Sequence, residues 1–584
     1  MADKFGSSLV KDKTILDHPA SLFMLFFTEM WERFSYYGMR ALLVLFLTTS
    51  LLRGEDNPNP GWGWDREEAL GLYGLYTGLV YLTPLFGGMI ADKLLGYRKA
   101  VFWGALIMAI GHGFMAIESI PAFFYAGLTA LIIGNGLFKP NISSIVGQLY
   151  EDESKKDSAY TIFYMGINAG AFLGILLCGY IGEKVSWSYG FGLAGIFMLL
   201  GMLQFWFGQS ILGTIGLTPK QAVVDKPLAN SGTTSNSGRI GTSAMIGIII
   251  ATIIALLNHF FGPEVNSSSL VTQINKIYMP PIVFGLVVGF VSFIITDPSL
   301  TKIEKDRVWV IIILTFFTVF FWWAFEQAGG SMSVFARDYT DRTLEGNSGF
   351  IFNIINTLLT VGSLAVVTWV LFKLFSVTFS EISTSNIILG LSFVIIWGIV
   401  IWMLNKEFRA ETTEVQASWF SILNSFFIIT MAPLVSKFWE KGYITSGPIK
   451  FAMGLIILGI GFGLLSYGSS SIPQGAKTAS VSMLWLILAY YFHTMGELCV
   501  SPVGLSYVSK LSPVRLIGLM FGIWFIANFI ANWAGGMTGS YIDTIVENNS
   551  MSAFFLIFTL IPIGAGILLI LMNGFMKKMM HGIE

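Results

Sequence analysis

Apolar stretches of about 20 residues, the length a helix needs to cross a bilayer, recur along nearly the whole chain. They lie near 21–50, 67–93, 98–118, 121–149, 158–182 and 189–211, then 242–261 and 279–296. Eight more follow near 306–336, 350–375, 386–404, 414–437, 448–468, 482–509, 515–541 and 551–576. The pattern predicts an all-α polytopic membrane protein ordered as six spans, two spans, and six spans interrupted by two. The interruption, 347–405, is a pair, so an inserted hairpin there leaves the sidedness of later spans unchanged. It is expected to pack on the outside of the second bundle. The predicted organisation is a tail over 1–20, a six-helix bundle over 21–211, a linker with two extra helices over 212–300, a second six-helix bundle over 301–576, and a tail over 577–584.

One span breaks the apolar pattern more than any other. Leu25 to Leu47 carries Glu29, Glu32, Arg33 and Arg40, and one charge at membrane depth costs at least about 2.5 kcal/mol. At about 100° per residue, Glu29, Glu32, Arg33, Tyr36, Tyr37 and Arg40 form a single stripe, opposite Phe27, Leu42 and Val44. Such a stripe must face protein or water.

Composition agrees with a membrane protein: of 584 residues, 54% are hydrophobic and 12% charged, against about 25% charged in soluble domains. A net charge of −1 lacks the cationic excess that nucleic-acid binding needs. Cys178 and Cys499 both fall in apolar spans, so neither a disulfide framework nor a metal cluster is implied. The first twenty residues hold three lysines and no apolar core, which excludes a cleaved signal peptide. With the N-terminus inside, the basic residues Lys93, Arg98, Lys99, Lys155, Lys156, Lys302, Lys305, Arg307, Lys437, Lys441, Lys450, Lys510, Arg515, Lys577 and Lys578 all fall on the cytoplasmic side. The opposite loops hold chiefly Arg53, Arg66, Lys184, Lys276 and Lys477, so both termini are expected in the cytoplasm and the protein in a plasma (bacterial inner) membrane.

Several ordered motifs give a more specific reading. GGMIADKLLGYRKA, residues 87–100, resembles the loop motif of the major facilitator superfamily, with Asp92, Gly96, Arg98 and Lys99 in place. FTEMWERFSYYGMRALL in span one is similar to the E-x-x-E-R-F-x-Y-Y signature of the proton-coupled oligopeptide transporter family. FYMGINAGAFLG (163–174), GNGLFKPNISS (134–144), FWWAFEQAGGSM (321–332) and GELCVSPVGLS (496–506) resemble that family's span-five, span-four, span-seven and span-ten segments.

The resemblance implies a major facilitator fold and a symporter importing di- and tripeptides with protons by alternating access. It implies no cofactor besides the proton, no nucleic-acid partner and a monomer in the bilayer. It places proton coupling on Glu29, Glu32, Arg33, Lys139 and Glu326. Arg40 and Lys139 would receive the peptide carboxylate, and Glu497 and Asn424 the amino group. Tyr36, Tyr37, Tyr81, Tyr164, Asn168, Trp322, Trp323, Ser501 and Trp524 would line the cavity. Arg40 with Glu326, and Lys139 with Glu497, would be gating salt bridges. The chain departs from the family pattern at Ser425, where a proline is usual, and in the insertion.

The residues support a related scheme without the family. Glu29, Glu32, Glu326 and Glu497 are four deep acids against three deep bases, Arg33, Arg40 and Lys139, so one carboxylate lacks a permanent partner. A carboxylate whose cation is borrowed by another group is able to take up a proton. A zwitterion that occupies the cations would therefore be linked to proton uptake, reciprocally. A carrier of another anion or zwitterion, such as nitrate or an amino-acid derivative, would use the same cations. An intramembrane enzyme would need a nucleophile and base, or metal ligands, on facing helices, and no such constellation is found. His112 and His493 read as helix-packing residues, and Pro140 as a kink beside Lys139.

Overall fold

The computed structural model describes residues 13–54, 57–150, 153–217, 237–262, 269–442 and 446–583. Most of the N-terminal tail and residues 218–236 of the polar linker therefore lie outside the described residues. The chain is helical. In order, the main helices are α1 (Ala20–Thr48), α2 (Arg66–Ile90), α3 (Tyr97–Met115), α4 (Pro121–Gln148), α5 (Glu153–Lys184) and α6 (Trp187–Gly208). The linker pair is α7 (Ser237–Phe261) and α8 (Met279–Ile295). Then come α9 (Lys302–Phe325), α10 (Ser331–Asp338), α11 (Gly346–Thr378), α12 (Ser383–Phe408), α13 (Ile422–Glu440), α14 (Gly447–Gly468), α15 (Leu484–Leu511), α16 (Ile517–Ser540), α17 (Ile542–Asn548) and α18 (Met551–Met580). Among the described residues, thirteen helices are long and apolar enough to cross a membrane. Adding α1 with its four charges, α3 and α15 gives the sixteen spans that periodicity predicts.

The helices fall into two compact units whose borders differ from the sequence halves. The first unit runs to Trp62, resumes at Thr83, continues through α6, and takes up Asp341–Ser425. The second contains Gly63–Leu82, the linker helices through Thr340, and Phe426 onward. Thus α2 contributes its first two-thirds to the second unit and the remainder to the first, and α7 and α8 belong to the second unit.

Within the first unit α1 is the central rod, buried along nearly its whole length. Small residues let α5 approach it. A Cβ on Gly170 would lie 2.2 Å from the Met30 carbonyl oxygen, and one on Gly174 would lie 2.2 Å from that of Phe34. In lipid, where apolar surfaces have no water to escape, such close backbone packing is a main source of helix association. Trp31 stacks on Phe197 of α6 with ring centroids 4.8 Å apart.

The α11–α12 hairpin packs on this first unit, which corrects the expectation that it flanks the second bundle. Phe393 meets Phe27 and Trp31 of α1 edge to face, each with centroids 5.7 Å apart. Ser385 Oγ donates to the Gln204 carbonyl at 2.7 Å, and Tyr180 Oη donates to Glu407 at 2.7 Å. Phe27, on the side of α1 opposite the polar stripe, is covered by the insertion.

The motif at 87–100 is built around a turn. After a π-helical stretch, Ala91–Leu95, the chain reverses at Gly96 with φ +75°, a left-handed backbone that favours glycine. Arg98 then donates to the carbonyls of Ile215 (2.5 Å) and Gly213 (2.6 Å), and Asp92 accepts from Tyr97 Oη at 2.8 Å. This arginine satisfies carbonyls of the turn that follows the short 3-10 stretch Gln209–Leu212 after α6.

Candidate functional site

Helical periodicity put Glu29, Glu32 and Arg33 on one face of α1, and the structure joins them. Arg33 Nε lies 2.9 Å from Glu29 Oε1 and also contacts Glu32 Oε2. All three are almost fully buried. Asn135 of α4 donates from Nδ2 to Glu32 Oε1 at 2.9 Å. Lys139, one turn further along α4, is close enough to act electrostatically on Glu29. The guanidinium of Arg33 also sits over the Tyr36 ring, 5.4 Å from its centroid. Two carboxylates therefore share one guanidinium, with a lysine as the second cation. Glu29 Oε2 and Arg33 Nη2 are buried without a protein hydrogen bond. That leaves capacity for a proton or a ligand group in a place where unpaired polar atoms are costly.

Two turns along α1 from Arg33, the Arg40 guanidinium lies over the Tyr37 ring, 5.9 Å from its centroid, and Tyr36 and Tyr37 are in edge contact at 5.1 Å. On α5, Asn168 is buried and donates to the Tyr164 carbonyl at 3.0 Å, whereas the Tyr164 ring is exposed. Asn424, in α13, also belongs to this unit.

The second unit holds the remaining predicted residues. Glu326 follows the last residue of α9 in a short 3-10 turn, and Glu497 lies on α15; both are buried. Ser501, one turn after Glu497, has a buried hydroxyl without a protein hydrogen bond, as does the Trp322 indole N–H. Trp524 lies edge-on to Gly504 of α15 so closely that a Cβ there would be 2.1 Å from its ring. Tyr81, on α2, falls in this unit and packs beside Leu75, Met279 and Phe529. Trp323 is committed to packing: its indole N–H donates to Thr538 Oγ1 at 3.0 Å, and the ring leans on Phe558 at 4.6 Å. The His493 ring packs tilted against Phe462, with centroids 4.2 Å apart, as a packing residue would. Among the described residues no group of acidic, histidine or cysteine side chains is arranged to hold a metal ion.

The sequence model of the POT family matches residues 98–396 and 365–554. The chain belongs to the POT family. It is 31% identical over the full length of both chains to the uncharacterized transporter YclF of Bacillus subtilis. It is 28% identical to the di-/tripeptide transporter of Lactococcus lactis subsp. cremoris, over 98% of this chain and 99% of that one. Among solved structures it resembles the peptide transporter POT in complex with sulfate, with TM-score 0.71 and 28% identity over 98% of each chain. It also resembles a POT family transporter in complex with 5-aminolevulinic acid, with TM-score 0.70 and 25% identity over 97% of this chain and 99% of that one. The protein is thus a multi-pass membrane protein of a transporter family, as its periodicity and motifs indicate.

Within this POT-family chain, sequence reasoning missed Asn135. It lies four residues before Lys139 in GNGLFKPN, hence on the same helix face. An uncharged amide gives no charge-count signal, and only its spacing from the lysine marked it.

Proposed function

We propose that this POT-family protein is a proton-coupled symporter that imports di- and tripeptides, with both termini in the cytoplasm of a bacterial inner membrane. The observation that carries the reading is the buried cluster in which Glu29 and Glu32 share Arg33, with Asn135 and Lys139 beside them. When a peptide carboxylate engages Lys139 and Arg40 through charge-assisted hydrogen bonds, the two glutamates keep only Arg33 between them. The excess negative charge is then neutralised by a proton. Peptide and proton binding thereby favour one another. Glu497 is assigned the peptide amino group with Asn424, and Glu326 and Glu497 are assigned to pairs that change as the site alternates between the two sides. The aromatic side chains Tyr36, Tyr37 and Tyr164 offer surface that accepts varied peptide side chains.

A second reading is favoured by the relative bound to 5-aminolevulinic acid: another small molecule with one carboxylate and one amine, using the same cations. Both are tested by uptake of a labelled dipeptide into proteoliposomes with and without an inward proton gradient, with unlabelled peptides and 5-aminolevulinic acid as competitors. Accumulation against the peptide gradient, blocked by excess dipeptide, supports the first reading. Gradient-driven uptake of labelled 5-aminolevulinic acid in vesicles that take up no labelled dipeptide supports the second, and no gradient dependence for either removes the coupling scheme.

A further inference from the structure

The linker helix α8 is fastened to its neighbours at both ends and parts from them in between. Near its start, Val283 and Met279 pack with Leu75 of α2 and Phe529 of α16. Asn275, in the π-helical turn just ahead, accepts from the Trp533 indole of α16 at 3.1 Å. Beyond its end, Asp297 pairs with Arg239 of α7 at 3.2 Å and accepts from Ser299 Oγ at 2.6 Å. Arg515 then donates to the Ser299 carbonyl at 2.9 Å and to Glu304 of α9 at 2.7 Å. On another side α8 is seated on α7: a Cβ on Gly285 would lie 2.7 Å from the Gly247 carbonyl oxygen, and one on Gly289 would lie 3.2 Å from that of Ser243. Backbone contact this close holds α8 on α7 and keeps it from leaning towards α9 and α16.

The space left between α8, α9 and α16 is a crevice of about 150 Å³. Val287 and Val291 of α8, Ile312 and Val319 of α9, and Ile523 and Ile530 of α16 form its three walls. Phe316 stands at the rim, 57% exposed, so the crevice opens sideways at the helix surface. Thr315 brings the one polar side chain among the lining residues. A buried water needs about two to four polar partners, so this lining suits hydrocarbon and not water. Depth narrows the occupant further. At about 1.5 Å per residue, Val291 and Val287 lie about 6 and 12 Å from Ile295, where α8 ends. By the same rise, Ile312 and Val319 lie about 8 and 18 Å beyond Arg307, the last charge of α9, and Ile523 and Ile530 about 9 and 20 Å beyond Ile517, where α16 begins. The crevice thus starts just inside the boundary marked by Lys302, Lys305 and Arg307 and ends near the middle of a hydrocarbon core about 30 Å thick. That is the reach of one chain of a lipid in the leaflet on that side.

We propose that this crevice is a binding site for one acyl chain of a phospholipid of the cytoplasmic leaflet, held between the linker helix α8 and helices α9 and α16. No hydrophobic force draws a chain out of surrounding lipid, so its preference for the site comes from dispersion contacts with three walls at once. The leaflet follows from the sidedness proposed above; the site itself does not depend on which substrate is carried. It gives the linker pair a task, since α7 holds α8 at the distance that a chain fills.

The test uses the full-length protein in proteoliposomes containing a trace of phosphatidylethanolamine with a photoactivatable diazirine on one acyl chain. The diazirine sits close to the ester in one lipid and close to the chain end in another, and adducts are mapped by fragmentation mass spectrometry. The label near the ester is expected to mark Val291, Ile312 and Ile523, and the label at the chain end Val287, Val319 and Ile530. The reverse order would mean a chain from the outer leaflet and would overturn the proposal. So would labelling no denser than on Ile248, Ile253 and Leu256, exposed residues of α7 that report bulk lipid. Marking by a diazirine fatty acid but not by the phospholipid would assign the crevice to a free acid, and equally overturns it. Ala527→Phe on α16 and Val291→Trp on α8 narrow the crevice from opposite walls. Each is expected to cut the crevice adducts severalfold, because a displaced chain forfeits its contacts, while adducts on α7 stay constant and report correct insertion. Undiminished crevice labelling in both variants sinks the site.

Discussion

Glu32 is the residue whose surroundings say most about mechanism. It shares Arg33 with Glu29 and receives a hydrogen bond from Asn135. Glu32→Gln keeps the shape and removes the proton site. Gradient-driven accumulation is expected to vanish while peptide exchange between equal pools persists, and full accumulation in the mutant would refute the coupling role. Lys139→Ala is expected to abolish both transport modes, since it removes a proposed carboxylate partner as well as the second cation; normal exchange would sink the shared-cation scheme. Asn135→Leu leaves a buried carboxylate oxygen without its donor, a loss of about 1–3 kcal/mol, and is expected to weaken accumulation more than exchange. The acids and bases of this cluster were legible because charge at membrane depth is rare and the 3.6-residue period puts them on one face. Asn135 was not, because a neutral amide passes unnoticed among apolar neighbours. Trp323 shows the converse: an indole inside a family motif that is occupied with Thr538 and Phe558.

Among the elements, the α11–α12 hairpin was legible as a pair but not in its placement. Two apolar spans added together preserve sidedness whatever they touch, and a lipid-facing surface differs little in composition from a helix-facing one. What placed the hairpin is a small number of polar contacts near its ends. Glu414, just past α12, lies 2.9 Å from Arg342 Nη2 and 2.5 Å from Lys184 Nζ. Glu183 at the end of α5 accepts from the backbone N–H groups of Ala417 and Ser418, each at 3.0 Å. Burial pushes the Glu414 carboxyl up, but Arg342 and Lys184 outweigh it and hold the group below the ordinary carboxylate range. A lowered folded-state pKa gives stability that is present above the unfolded value and is lost as pH falls through the folded one. The clasp is therefore intact at neutral pH and loosens in acid. Thermal unfolding of detergent-solubilised protein should show a drop in midpoint between neutral and strongly acidic pH that is smaller in Glu414→Gln; an equal drop in both would remove the clasp from the account. Deleting 347–405 strips Phe393 from α1 and Ser385 from Gln204, so the midpoint should fall. Gradient-driven uptake should survive, because none of these contacts reaches Glu29, Glu32 or Arg33.

Across the whole molecule, α2 is a helix that the two units divide between them, and the division has a chemical marker. The border falls at Leu82 and Thr83, and Pro84 lies inside the helix immediately afterwards. Proline removes one intrahelical hydrogen bond and crowds the preceding turn, which concentrates bending there. Beyond it the helix is tied to the first unit: Thr83 Oγ1 donates to the Ile132 carbonyl at 2.9 Å, and a Cβ on Gly87 would strike the Gly136 carbonyl at 1.9 Å. Before it, Gly74 and Gly78 lie against α16. The sequence shows Pro84 plainly, but its meaning appears only when the helix is seen to change allegiance next to it, a tertiary fact with no local signature. If α2 bends at this point during alternation, restoring the hydrogen bond with Pro84→Ala should stiffen it. The maximal rate of gradient-driven peptide uptake should then fall several-fold while the half-saturating peptide concentration stays put, because the carboxylate-binding cations are untouched. Gly74→Val acts on the other side of the same joint: a side chain that cannot fit against Gly536 forces α2 away from α16 and should speed labelling of an introduced Leu70→Cys, in protein with Cys178 and Cys499 replaced by alanine, by a membrane-impermeant maleimide. An unchanged maximal rate in Pro84→Ala, together with unchanged labelling in Gly74→Val, would mean that α2 moves as a rigid rod and that the bend lies elsewhere.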